Sequence, residues 1–274
     1  MDLRGLIREG RLSEARAALV EKVKSAPADT GSRTLLFQVL VLLGERDKAR
    51  SHLDMISTQD PGLLSGVQVF NQLIAAEKER EAVFDLEKSP SFLPETPGYF
   101  ETYYGAVKRL FANDIKGADR LFSEAAGDIP SVKGTVNGDT FLGFSDTDSV
   151  LSPFLEAFVH DRYVWVPIAS IRELTVTQPK TLTDLIWIQA NITTWEGMTV
   201  GCFLPVLYPG SCSHENEQIK LGRMADWISL GGSHYRGAGQ HVYSIGKKEM
   251  AVLEVREVVF TYQGLNKQER GLKQ

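Results

Sequence analysis

Several things are scarce in this chain of 274 residues, and each scarcity excludes a class of protein. Its two cysteines, Cys202 and Cys212, allow at most one disulfide. A chain this long builds a core without one, so both read as reduced thiols. No stretch reaches the roughly 20 apolar residues that cross a bilayer. The opening Met1-Asp2-Leu3-Arg4 enters an amphipathic pattern without the apolar centre of a secretory signal, so a cytoplasmic protein with no membrane contact is expected. Basic excess is missing too: the net charge is −5, which argues against a general nucleic-acid binder.

Catalytic motifs are equally sparse. There is no Gly-x-Ser-x-Gly elbow, no phosphate loop and no His-Glu-x-x-His helix. The five histidines are dispersed. Cys212-Ser213-His214 with Glu215 and Glu217 matches no zinc spacing, and 211–218 reads as a polar loop, so neither metal nor other cofactor is expected. Gly237-Ala238-Gly239-Gln240 lacks the strand and helix of a nucleotide loop and reads as a place where two backbones approach. Asp146, Asp148 and Asp161 are candidate paired carboxylates. Asp146 is better read as a helix cap and Asp161 as a turn residue.

What the chain does have is a repeat. Gly10-Arg11-Leu12-Ser13-Glu14-Ala15-Arg16 returns 34 residues later as Gly44-Glu45-Arg46-Asp47-Lys48-Ala49-Arg50, and Leu19 and Pro27 return as Leu53 and Pro61. A looser copy runs from Asn113 to Ala118, with Pro130 at the matching distance. This period and order of small residue and proline is a tetratricopeptide (TPR) signature. Gly10 and Gly44 suit the left-handed residue that ends a first helix, Ala15 and Ala49 admit a neighbouring helix, and the prolines stop the second. Leu3 to Ile7 predicts a short first helix, and 12–25 its partner. The next helix, with Leu35, Leu36, Val39, Leu40 and Leu43, is apolar almost all round. Residues 63–87 predict one long helix, whose charged run Glu77-Lys78-Glu79-Arg80-Glu81 reads as a solvated face or, alternatively, a docking surface. A proline-rich turn (89–97) and one more helix pair (99–112 and 115–126) follow.

After Pro130 the texture becomes strand-like. Asn137-Gly138 predicts a type I′ hairpin turn. A helix is expected over Thr147–Val159, a strand at Tyr163–Val166, paired strands at 185–192 and 198–206, and a last strand at 251–262 with a bulge near Arg256 or Glu257. The expected fold is multidomain α+β: a TPR-like α-α superhelix over 1–130 packed against a β-rich α+β domain over 131–274.

Asn137-Gly138, Tyr163-Val164-Trp165-Val166-Pro167, Asp184-Leu185-Ile186-Trp187, Pro205-Val206-Leu207-Tyr208-Pro209-Gly210-Ser211, Leu221-Gly222-Arg223 and Asp226-Trp227 occur in that order behind the helical repeats. This arrangement resembles the ImpE/SciE family, also called TagJ, across nearly the whole chain. His160-Asp161-Arg162 departs from it where a glycine-bearing turn is expected. The resemblance implies a non-enzymatic, cytoplasmic accessory factor of bacterial type VI secretion. The partners it implies are the small subunit of the contractile sheath and the sheath-recycling ATPase ClpV.

Solenoids present grooves in which a partner helix can lie. The groove, or the junction with the second domain, is therefore expected to take an amphipathic segment of the sheath subunit. Arg33, Gln38 and Val41 are its groove-facing candidates, chosen because the other positions of their helix read as core. The competing class is a ligand-binding protein or enzyme with a pocket near Tyr208, Arg223, Trp227 and His234; against it stands a structural role in which Arg223 pairs with Asp226 and Trp227 packs in the core.

Overall fold

A computed structural model describes residues 2–262. The first part of the chain is helical: α1 (Leu3–Arg8), α2 (Leu12–Ser25), α3 (Thr30–Leu42), α4 (Arg46–Gln59), α5 (Leu64–Phe84), then, after the two-residue strand β1 (Ser91–Phe92), α6 (Phe100–Phe111) and α7 (Ile115–Ala126). The strands β2 (Lys133–Val136), β3 (Asp139–Leu142), β4 (Phe144–Asp146), β5 (Phe154–Val159), β6 (Arg162–Pro167), β7 (Ile171–Val176), β8 (Trp187–Thr194) and β9 (Thr199–Pro205) follow. A short helix α8 (Glu217–Lys220) precedes β10 (Ala225–Gly231), β11 (His234–Gly239), β12 (Val242–Ile245), β13 (Lys248–Ala251) and β14 (Glu257–Phe260).

The left-handed positions of the repeat are where the spacing places them. Gly10 and Gly44 have φ of 80° and 74°, and Asn113, their counterpart in the looser copy, has φ of 60°. A residue with φ > 0 ends the first helix of each pair, and glycine takes that conformation without a Cβ penalty. Ala15, Ala49 and Ala118 are fully buried at the helix–helix contacts that follow. Asp2, Asp29 and Asp114 cap α1, α3 and α7 by accepting backbone N–H groups.

Nine strands form one sheet in the order β1-β6-β5-β9-β8-β7-β14-β2-β3. Only β1 on β6 is parallel, so the segment between two helices supplies one sheet edge. Side chains alternate across the sheet. Phe154 and Phe158 of β5, Tyr163 and Trp165 of β6 and Trp187 of β8 join the helices in one core. Leu155, Ala157, Val164, Val166 and Ile188 point the other way, into a second core shared with Tyr243 and Ile245 of the small sheet β13-β12-β4. Strands β5 and β6 are thus covered on both faces, which explains their nearly unbroken burial.

Three expectations need correction. Residues 147–153 form turns and 154–159 a strand, not a helix: Asp146 and Asp148 accept the N–H groups of Asp148 and Val150, satisfying locally the backbone that a helix would have used. Asp146 therefore caps no helix. The last strand is interrupted by a 3-10 turn at Val252–Glu254, and the amide oxygen of Asn137 accepts the N–H groups of Arg256 and Glu257 where a bulge was expected. The charged run of α5 is only in part a solvated face: Lys78 and Glu81 are exposed, but Glu77 and Arg80 are buried against the sheet.

The hairpin turn between β5 and β6 carries His160 at φ 56°. A non-glycine residue in this region is strained, so His160→Gly is expected to raise stability by roughly 0.5–1 kcal/mol, read as a higher urea midpoint.

Candidate functional site

Helix α5 turns Leu73, Glu77, Arg80 and Phe84 toward the sheet, a spacing of four, three and four that keeps them on one stripe. On β5, strand alternation places Glu156 between Phe154 and Phe158 on the same helix-facing side. The two charges meet there. Arg80 donates through Nε and an Nη to the two Glu156 oxygens, each at 2.7 Å, and through that Nη to the Leu207 carbonyl at 2.9 Å. Both side chains are almost wholly inaccessible.

The network extends in both directions from this fork. Glu156 also accepts the Tyr163 hydroxyl, which in turn accepts Trp165 Nε1 at 2.6 Å. His241 lies between two carboxylates, Nε2 2.9 Å from Glu156 and Nδ1 3.0 Å from Asp146. Asp146 accepts the Tyr208 hydroxyl at 2.8 Å. Neighbouring Asp148 accepts the Gly237 N–H at 2.9 Å, tying β11 to the turn before β5. At the other end, Glu77 accepts Trp187 Nε1 at 2.9 Å. Gly237 has a packing reason: a Cβ there would lie 2.3 Å from the Tyr208 ring.

Burial opposes charge throughout, and the neighbours decide the outcome. Burial works most strongly against ionised Glu156, but the Arg80 charge and the hydrogen bonds from His241 and Arg80 together outweigh it and hold this carboxyl down at about 2. Burial would neutralise His241; Asp146 and then Glu156 overcome it and raise the imidazole to about 9, so it is a cation at neutral pH. For Asp148 the compensation falls short: burial and the Asp146 charge outweigh the N–H groups of Gly237 and Val150 and push it up to about 7.

The expected site residues do not converge. Arg33 is buried, donating to the Pro27 carbonyl at 2.8 Å and lying 3.3 Å from His52. Val41 is also buried and lines a cavity of about 40 Å³ beside Arg80 and Glu77, room for a water or two. Tyr208 belongs to the network above. Arg223 does not pair with Asp226; it donates to the carbonyls of Ile7 (2.9 Å) and Arg8 (2.6 Å), at the C-terminal end of α1 where a cation is favoured. Trp227 is 37% exposed rather than core, and its Nε1 donates to Thr147. His234 pairs with Asp119 of α7 at 2.8 Å. Cys212 packs against Gly44, His214 faces Asp226, and Glu217 accepts from Ser13, so these three turn to different neighbours.

Two expected residues do share a surface. Gln38, which donates to Thr183 Oγ1 at 2.7 Å, and Arg223 both line a groove of about 870 Å³ between α1, α3 and the loop 179–185. Ile7, Leu35, Leu182 and Leu185 provide its apolar lining.

Residues 138–259 match the family described as ImpE protein. Over 255 residues the chain is 30% identical to the Pseudomonas aeruginosa protein named type VI secretion system accessory component TagJ, spanning 93% of this chain and 89% of that one. The chain belongs to the ImpE family. A crystal structure of a Vibrio parahaemolyticus protein shares the fold, with a TM-score of 0.85 at 20% identity over 96% of this chain and 98% of that one. The stretch matching the ImpE model contains Asp146, Glu156, Tyr208 and His241, whereas Arg80, which they enclose, lies outside it. The Tyr208–Ser211 segment of the ImpE-like pattern walls the network: Ser211 Oγ donates to the Tyr208 carbonyl at 2.6 Å and accepts Gly239 N–H at 2.8 Å.

Removing Arg80 would leave Glu156 buried beside one cation instead of two. Arg80→Met is therefore expected to cost about 3–5 kcal/mol in urea denaturation, and Arg80→Lys to restore only part because it lacks the two-pronged fork. The pH dependence has a definite sign. His241, raised from 6.5, contributes stability that is complete below pH 6.5 and is lost as pH rises through about 9. Asp148, raised from 3.8, acts in the same direction as pH rises through about 7. Glu156, lowered from 4.5, loses its contribution as pH falls toward about 2. Urea midpoints are expected to be highest near pH 4.5, where the Glu156 contribution is complete and Asp148 still holds its proton, and to fall from there through pH 7 and on toward pH 9. In His241→Gln the decline between pH 7 and 9 should flatten.

Proposed function

We propose that this chain is a non-enzymatic accessory component of a bacterial type VI secretion system, working in the cytoplasm as an adaptor. Its ligand is an amphipathic helical segment of the small sheath subunit, seated in the groove between α1, α3 and the loop 179–185; ClpV is a second partner. The observation that carries the reading is the groove itself, a concavity of about 870 Å³ with an apolar lining and polar edges. Residues 1–130 act as a TPR-like helical domain that supplies one wall through α1 and α3, and the β-rich domain that begins at residue 131 supplies the other through 179–185 and Arg223. On this reading the groove lies at the junction between the two. The family membership and the name of the Pseudomonas aeruginosa relative support the accessory role.

Against the ligand-pocket alternative, Tyr208, Arg223, Trp227 and His234 point to separate surroundings, and the cavity at Tyr208 is too small for a substrate. The titrating groups of the buried network are all engaged by protein partners.

Thr34 is half-buried on the α3 side of the groove, and a large side chain there would fill it. Thr34→Trp is expected to weaken binding of the purified small sheath subunit at least about tenfold, roughly 1.4 kcal/mol, by calorimetric titration. Gln38→Ala is expected to give a smaller loss. Unchanged affinity in Thr34→Trp, with an unchanged melting temperature, would exclude this groove.

A further inference from the structure

The groove has a charge opposite to that of the molecule. The chain as a whole carries −5, yet the charged side chains around this concavity are Arg4, Arg8, Lys180 and Arg223 against a single carboxylate, Asp2. Asp2 is already engaged, since its side chain caps α1 and pairs with Arg8 at 3.0 Å. Arg223 is turned inward onto the α1 carbonyls. That leaves Arg4 on the helical wall and Lys180 on the opposite loop wall. Both are exposed, and among the described residues neither side chain has a carboxylate within ion-pair distance. An apolar floor is therefore flanked on both sides by a cation without an acidic partner among the described residues.

We infer, on the reading that the groove takes a partner helix, that this helix is acidic along both flanks of its apolar face. A helix is about 10–12 Å across with its side chains, so the groove volume accommodates roughly two turns. Over that length the apolar residues at i, i+3, i+4 and i+7 face the floor, and the positions on either side of this stripe pass Arg4 and Lys180. Glutamate or aspartate there gains two charge-assisted contacts that the free protein lacks, while lysine or arginine meets like charge. The choice among amphipathic helices is thus made by the rim, and the apolar floor accepts any of them.

The test uses the full chain and a pair of synthetic amphipathic peptides with identical apolar faces, flanked by glutamate in one and lysine in the other. Binding is followed by fluorescence anisotropy at about 50 and 300 mM salt. The glutamate peptide is expected to bind roughly tenfold tighter at low salt, with the gap narrowing at high salt. In the double variant Arg4→Glu, Lys180→Glu the preference should reverse. Equal affinity, a preference for the lysine peptide, or binding of neither overturns the inference. Its failure is distinguishable from failure of the groove reading, because Thr34→Trp should exclude the sheath subunit whatever the flanking charge. Charge reversal at the rim alters only the preference between peptides.

Discussion

The two-pronged bond between Arg80 and Glu156 is the constraint on which the rest of the arrangement depends. Each charge lies on the side of its element that faces the core, so neither can be solvated once the helix meets the sheet. A buried ion pair adds little net stability compared with a well-packed apolar pair, but separating its members is costly. It therefore acts on geometry more than on net energy. Sliding α5 along its axis by one turn would carry Arg80 about 5.4 Å from Glu156 and leave both charges unpaired.

From that pair the consequences pass outward through side chains that each need their neighbour. Glu156 has acceptor capacity beyond the Arg80 fork, taken up by Tyr163 and His241; His241 reaches Asp146; Asp146 holds Tyr208; and Tyr208 leaves no room for any residue but glycine at position 237. The helical layer, the large sheet and the small sheets are so joined by polar contacts where hydrophobic packing alone would permit several alignments. The same core includes Phe37, Phe70 and Trp187, whose rings pack between α3, α5 and β8. The wall of the groove formed by α1 is held by the same kind of contact, with Arg223 of the segment before β10 gripping the end of α1.

How much of this was legible from residues alone varies with the kind of feature. The hairpin at Asn137-Gly138, the strand pair β8–β9 and the helices α1 to α7 follow from local patterns: turn residues, alternation and helical spacing. Phe154-Leu155-Glu156-Ala157-Phe158 was misread because two phenylalanines four apart fit a helix as well as a strand, and Pro153 fits a helix's first turn. The buried half of the α5 charged run, Glu77 and Arg80, was misread because alternating signs satisfy the rule for a solvated helix. Two signals pointed to the network: Glu77 and Arg80 continue the apolar stripe of Leu73 and Phe84, and an alternating strand puts Glu156 among phenylalanines. Arg33 and Val41 were misplaced because the open stripe of α3 runs along Gly31, Thr34, Leu35 and Gln38, and Arg33 and Val41 lie off it, in the core.

Conformations that depend on a residue and its immediate neighbours were settled within the sequence. Gly10, Gly44 and Asn113 end their helices because few other residues tolerate positive φ, and Asn137-Gly138 turns for the same steric reason. Asp2, Asp29 and Asp114 cap helices because the unpaired N–H groups lie two or three residues away. Which charges became buried, and which cations were left at the groove rim, came only with the assembled fold. Apart from Glu77, the polar partners of Arg80 come from 76 to 161 positions away, and Coulomb and solvation energies depend on that environment far more than on the residue itself.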